Sequence, residues 1–208
     1  MTREKLLRNY WRYYKMLEEK VIRTGNYVEI HPDNFASFSN EYALLLQSIG
    51  AELDNFFKVY CGFDPDATKN ITEYSQSILK TYPEIKTQKI RIINTDIVLQ
   101  PFKDWDVKKP KQSLEWWEAF DIIKHNRTGN FSEAKQKNVL NILGALYLLE
   151  MKQFKNVAIE GKDGHIEEAD SPGDKSKLFS LVDWELRYQP IGDFLALIDG
   201  SLYSITED

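Results

Sequence analysis

The sequence predicts a mainly α fold, a helical bundle with a β-hairpin insertion and a small C-terminal β region. Three observations lead there. Apolar residues recur at three- and four-residue spacing over most of the first 155 residues, as in helices that bury one face. Between those stretches, Lys89 to Gln100 turns β-branched around Asn94-Thr95-Asp96, a hairpin pattern. Beyond Asn156 the helical spacing fades into polar, turn-rich sequence, and a second hairpin pattern surrounds Asp199-Gly200-Ser201. The expected organisation is a helical body, residues 1–155, with its hairpin near 88–100. An acidic β/loop appendage, residues 156–208, follows.

Each element has its own justification. In the first helix, Thr2 to Arg23, the residues Leu6, Tyr10, Tyr13, Tyr14, Leu17 and Val21 share one face. Lys5, Arg8, Arg12 and Lys15 form a basic stripe on the other, which is a solvated face or a phosphate-binding one. Thr24-Gly25-Asn26 stops this helix. Ser39 suits the N-cap of a second helix, Asn40 to Tyr60, with Glu41 in its first turn. Its core stripe is Tyr42, Leu45, Ile49, Leu53, Phe56 and Tyr60, and the costly mid-helix Gly50 implies a closely packed neighbour. A short third helix spans Asn70 to Thr81 and stops before Pro83.

Ser113 is expected to cap the next helix, with Trp116, Ala119, Phe120 and Ile123 toward the core. Leu114, Glu118, Asp121 and His125 line its other side. Thr128-Gly129 makes a turn, and Asn130-Phe131-Ser132-Glu133 resembles a capping box that opens a second long helix. Val139, Ile142, Leu143, Leu146, Leu149 and Phe154 form its buried seam. Gly161 to Asp174 reads as a loop, and Leu178 to Tyr188 as either strand or helix.

Composition narrows the function classes. With 42% hydrophobic and 13% aromatic residues, the chain can build a real core. No apolar run reaches the roughly 20 residues of a membrane span, so no membrane partner is expected. The basic N-terminus has no apolar core of its own and does not read as a secretory signal, which makes the cytoplasm the expected location. The single cysteine, Cys61, excludes an internal disulfide and a multi-cysteine metal site. No Gly-rich phosphate loop, HExxH or CxxC motif is present, so neither cofactor nor metal is expected. The net charge of −5 divides into −8 over residues 156–208 and +3 over the body, which leaves the body approachable by a polyanion.

The chemistry concentrates where the two central helices meet. Asp121 and His125 are one helical turn apart, so the carboxylate can orient the imidazole. Lys124 and Arg127 add positive charge within a turn. A proton-moving group beside cations is what metal-independent phosphodiester cleavage requires. Trp117 flanks the stripe and offers an indole on which a base could stack. The structural alternative is helix capping, because cations at a helix C-terminus complement its dipole and Asn126 suits the left-handed position.

Phe120, Asp121, Lys124 and His125, ahead of Arg127 and a second apolar helix, resemble the HEPN superfamily of helical domains. The Ile49-Gly50-Ala51-Glu52-Leu53-Asp54 segment resembles the acidic helix of such proteins. The resemblance implies an α-helical, commonly dimeric protein. It implies RNA as partner, and a role as a metal-independent ribonuclease of a defence or toxin–antitoxin system. His125 would be the acid/base, Asp121 its orienter, and Lys124 and Arg127 the phosphate-facing cations. The family's catalytic motif carries an Arg shortly before the His, whereas here the only nearby Arg follows it. A non-catalytic helical interaction or dimerisation module therefore stands as the alternative.

Overall fold

The computed structural model describes residues 1–160, 171–183, 194–198 and 201–205. They form the predicted architecture, a mainly helical body carrying small antiparallel sheets. Its first rod is α1 (Arg3–Leu6), a π-helical segment (Leu7–Trp11) and α2 (Arg12–Thr24). Leu6, Tyr14, Leu17 and Val21 are buried as expected. Tyr13 is not, because the wider π turn shifts the helical register and places Trp11 in the core instead.

Helix α3 (Asn40–Tyr60) starts at Ser39, whose side chain accepts the Tyr42 amide at 3.1 Å. Gly50 meets its expected neighbour: a Cβ there would lie 2.2 Å from the Phe120 ring. Helix α4 (Ile71–Thr81) opens on an Asn70–Glu73 capping box. Strands β1 (Ile90–Ile92) and β2 (Val98–Leu99) form the first hairpin, with Asn94 at a positive φ of 63° in its turn. β1 lies so close to the last helix that a Cβ on Gly144 would come within 2.3 Å of Ile90.

Helix α5 (Glu115–Asn126) begins one residue later than Ser113 would set it. Leu114 holds the N-cap position without a side-chain bond and is buried, while Ser113 Oγ accepts the Asp106 amide. Helix α6 (Gln136–Glu160) departs further from expectation. Residues Phe131–Glu133 form a 3-10 turn with no capping box. The first α6 amides are satisfied from a distant connector, Gln136 N–H by Ser37 O at 2.9 Å and Lys137 N–H by Phe35 O at 3.1 Å. Carbonyls brought in by tertiary packing replace the local cap.

The expected seam of α6 is buried, and so are Leu140, Ala145, Tyr147, Leu148, Glu150 and Met151. A helix covered almost all round belongs at the centre of a bundle. α6 accordingly touches α1, α2, α3 and α5. It also runs past Asn156 to Glu160.

Strand β3 (Phe179–Leu181) settles the strand-or-helix alternative for its own residues and adds to β1, giving the order β2-β1-β3. Strands β4 (Phe194–Ile198) and β5 (Ser201–Ile205) pair antiparallel as the second predicted hairpin. Residues 161–170 of the expected loop and 184–188 of the ambiguous stretch lie outside the described residues.

A buried carboxylate joins the first rod to residues 176–178. One oxygen of Glu18 accepts the Lys177 and Leu178 amides at 3.0 and 3.1 Å, the Tyr14 hydroxyl at 3.0 Å and the Ser176 hydroxyl. Its other oxygen pairs with Lys15 Nζ at 2.7 Å. Burial pushes the Glu18 pKa up, but the bonds from Lys15, Ser176, Leu178 and Lys177 outweigh it and leave the group below the ordinary carboxylate value. No helix among the described residues is long and apolar enough to cross a membrane.

Candidate functional site at the end of helix α5

Aromatic packing fixes α5. Trp117 lies 5.6 Å from Phe57 and 5.3 Å from Phe120, ring centre to ring centre, and Trp116 donates its indole N–H to Pro101 O at 2.8 Å. Trp117 is therefore a core residue, 6% exposed, and is not a platform for a base. Trp116 and Trp117 are both buried, with ring centres 6.1 Å apart.

With that face anchored, the last turn of α5 projects into solvent. Lys124, His125, Asn126 and Arg127 are all exposed. Asp121 is half-buried and central. Its Oδ2 accepts Lys111 Nζ at 2.5 Å, and its Oδ1 stands 3.6 Å from His125 Nε2. The second distance is too long for a hydrogen bond. Lys124 Nζ sits 5.7 Å from the centre of the Phe120 ring. Lys111 comes from the 101–114 loop, and no spacing rule within the sequence signals that pair.

The capping alternative resolves differently from either expectation. Asn126 keeps helical geometry, and its Oδ1 accepts the Gly129 amide at 3.2 Å. Asn130 Nδ2 donates to the Asn126 carbonyl at 3.1 Å, and the Asn130 amide donates to Arg127 O at 3.2 Å. Two asparagines thus close the helix end. Among the described residues, the side chains of His125 and Arg127 take no part in it.

A second carboxyl lies nearby on α3. Burial raises the Asp54 pKa, while the Tyr74 hydroxyl and the charges of Lys58 and Lys124 act in the opposite direction. The Lys124 charge therefore reaches Asp54 although its side chain is exposed.

The N-terminal stripe is a separate group of cations. Lys5, Arg8 and Arg12 are exposed, whereas Lys15 is drawn onto Glu18 and onto Lys175 O at 2.6 Å. The row is thus three residues long and not four. Cys61 is half-buried, and burial raises its thiol pKa, which disfavours the thiolate. Among the described residues, no group of three or more His, Cys, Asp or Glu side chains gathers as metal ligands would. Comparison with family models, with curated proteins and with solved structures finds no match.

Proposed function

We propose that the end of α5 is the phosphate-facing site of an HEPN-like, RNA-associated helical protein. The observation that carries this reading is that the helix end is closed by Asn126 and Asn130. His125, Lys124 and Arg127 are left free of that task, and each is exposed to solvent within one turn of the chain. An imidazole beside a carboxylate can take the 2′-hydroxyl proton of RNA or return one to the leaving oxygen. Lys124 and Arg127 would face the phosphate, where added positive charge stabilises the developing anion. Asp121 would orient His125 while Lys111 steadies the carboxylate. A second copy of the chain, as the family resemblance implies, would double the cationic surface.

A non-catalytic role has its own support. The His125 side chain is 67% exposed, and Asp121 is shared with Lys111, so no closed, water-poor cleft forms around the imidazole. Such a site suits binding a strand better than cleaving it.

One experiment separates these readings. Purified protein is incubated with single-stranded RNA in excess chelator, and both cleavage and binding are followed. On the catalytic reading, cleavage proceeds without metal and His125→Ala slows it by about 10²–10⁴-fold. On the binding reading, RNA is retained intact, and Arg127→Ala and Lys124→Ala each lower the salt dependence by about 0.7 in log–log slope. Absence of both binding and cleavage at low salt would remove RNA from the account.

A further inference from the structure

α2 and α3 part where the chain turns at Thr24 to Val28, and they leave a hollow of about 550 Å³. That volume lies within the range of small-ligand sites, about 300–1,000 Å³. Its walls carry Lys20, Arg23, Tyr27, Glu41 and Tyr42. Tyr27 is 90% exposed, although its amide is fixed to Thr24 O at 3.0 Å. An aromatic ring held by its backbone with bare faces is a ready stacking surface.

The polar groups are equally uncommitted. Lys20 has no ion pair among the described residues. Arg23 holds only Glu19, at 2.7 Å, with both side chains about two-thirds exposed at 70% and 66%, a pairing that a phosphate readily displaces. Tyr42 is buried, at 2% exposure. Its hydroxyl accepts Gln136 Nε2 at 3.0 Å, and the same amide reaches Glu29 O at 3.0 Å, which sets the amide's orientation. The Tyr42 hydroxyl proton therefore has no acceptor among the described residues. A buried phenol with an unused proton, on a residue that lines the hollow, suits an acceptor from outside.

We propose that this hollow binds a nucleoside phosphate. The phosphate rests on Lys20, Arg23 and the Tyr42 hydroxyl, and the base stacks on Tyr27. Glu41, exposed on the rim, accepts from the ribose hydroxyls, the usual task of a carboxylate beside a nucleoside. The site is distinct from the end of α5. At a rise of about 1.5 Å per residue, Ser39 and Asp54 are separated by roughly 20 Å along α3, and Lys124 lies at the Asp54 end.

The chemistry fits both a free nucleotide and the 5′-phosphorylated end of an RNA strand. The full chain is titrated calorimetrically with adenosine 5′-monophosphate, adenosine, inorganic phosphate and a 5′-phosphorylated tetraribonucleotide. The mononucleotide is expected to bind saturably and more tightly than either of its parts. Tyr27→Ala should weaken it about tenfold. Lys20→Ala and Arg23→Ala should each weaken it several-fold. These positions are exposed, so the variants fold. Tighter binding of the tetranucleotide assigns the RNA end as the source, and equal affinity assigns the free nucleotide. The proposal is overturned if neither binds at millimolar concentration, if inorganic phosphate binds as well as the mononucleotide, or if Tyr27→Ala and Lys20→Ala bind like the parent.

Discussion

Replacing Glu150 with Met should stabilise the protein. Glu150 sits at the centre of the bundle on α6, 0% exposed, and both carboxyl oxygens lack a hydrogen-bond partner. Burial pushes its pKa well above the ordinary value, and the Glu52 carboxylate across on α3 pushes it the same way. Tyr10 on the π segment also feels its charge. No cation appears among these neighbours, so the side chain folds as the neutral acid.

An orphaned buried polar group costs about 1–3 kcal/mol, and Met fills a similar unbranched volume without one. The expected gain is therefore about 1–3 kcal/mol in acid and larger near pH 7, at roughly 2–4 °C in Tm per kcal/mol for a chain of this size. The gain has a definite pH dependence. Below the ordinary carboxylate value of 4.5 both folded and unfolded chains hold the proton, so only the orphaning cost remains. As pH rises above that value, the unfolded chain ionises first and the wild-type protein loses stability relative to Glu150→Met. Urea denaturation followed by circular dichroism at about pH 4 and about pH 7.5 measures both terms. A variant less stable than the parent at both pH values, or a gain that shrinks as pH rises, would refute the reasoning and reveal a donor for this carboxyl.

Two further perturbations bear on the fold. Glu18→Ala should cost about 3 kcal/mol or more, because it orphans the Lys177 and Leu178 amides, and faster amide exchange at Leu178 would locate the damage. The parent's Glu18 contribution is in full above the ordinary carboxylate range and drains away as pH falls through the lowered folded value, so this difference should narrow in acid. Gly50→Ala should cost about 1–3 kcal/mol through its clash with the Phe120 ring, with Phe120→Leu restoring part of the loss in a double-mutant cycle.

Much of the helical order was legible, because period and caps are local properties. Ser39 opened its helix where expected, the third helix fell within its expected bounds, and Gly50 announced a close neighbour, which is Phe120. The failures have separate causes. Ser113 and Asn130 carry good capping chemistry, yet the Asp106 amide takes Ser113 Oγ, and distant carbonyls open α6. Tyr13 was misplaced because a π turn changes the helical period midway, and nothing in the residue spacing marks the change. Trp117 was set beside the polar stripe because it lies about 100° round the helix from Trp116, at the edge of the assigned core face. At the α5 end, the Asp121–His125 proximity followed from spacing alone, whereas Lys111 arrived from a loop. The Tyr27–Tyr42 hollow combines residues from two helices and a turn, and no linear pattern joins them.

The Glu18 clasp has a bearing on synthesis. The donors it needs are the amides of Lys177 and Leu178 and the hydroxyl of Ser176, which the ribosome adds long after the first helical rod has emerged. Until then that carboxylate must stay hydrated, and the rod cannot settle fully against the bundle. Settling of the first rod therefore waits until residues 176–178 have been made, which leaves nascent chains halted before that point open to proteases and chaperones.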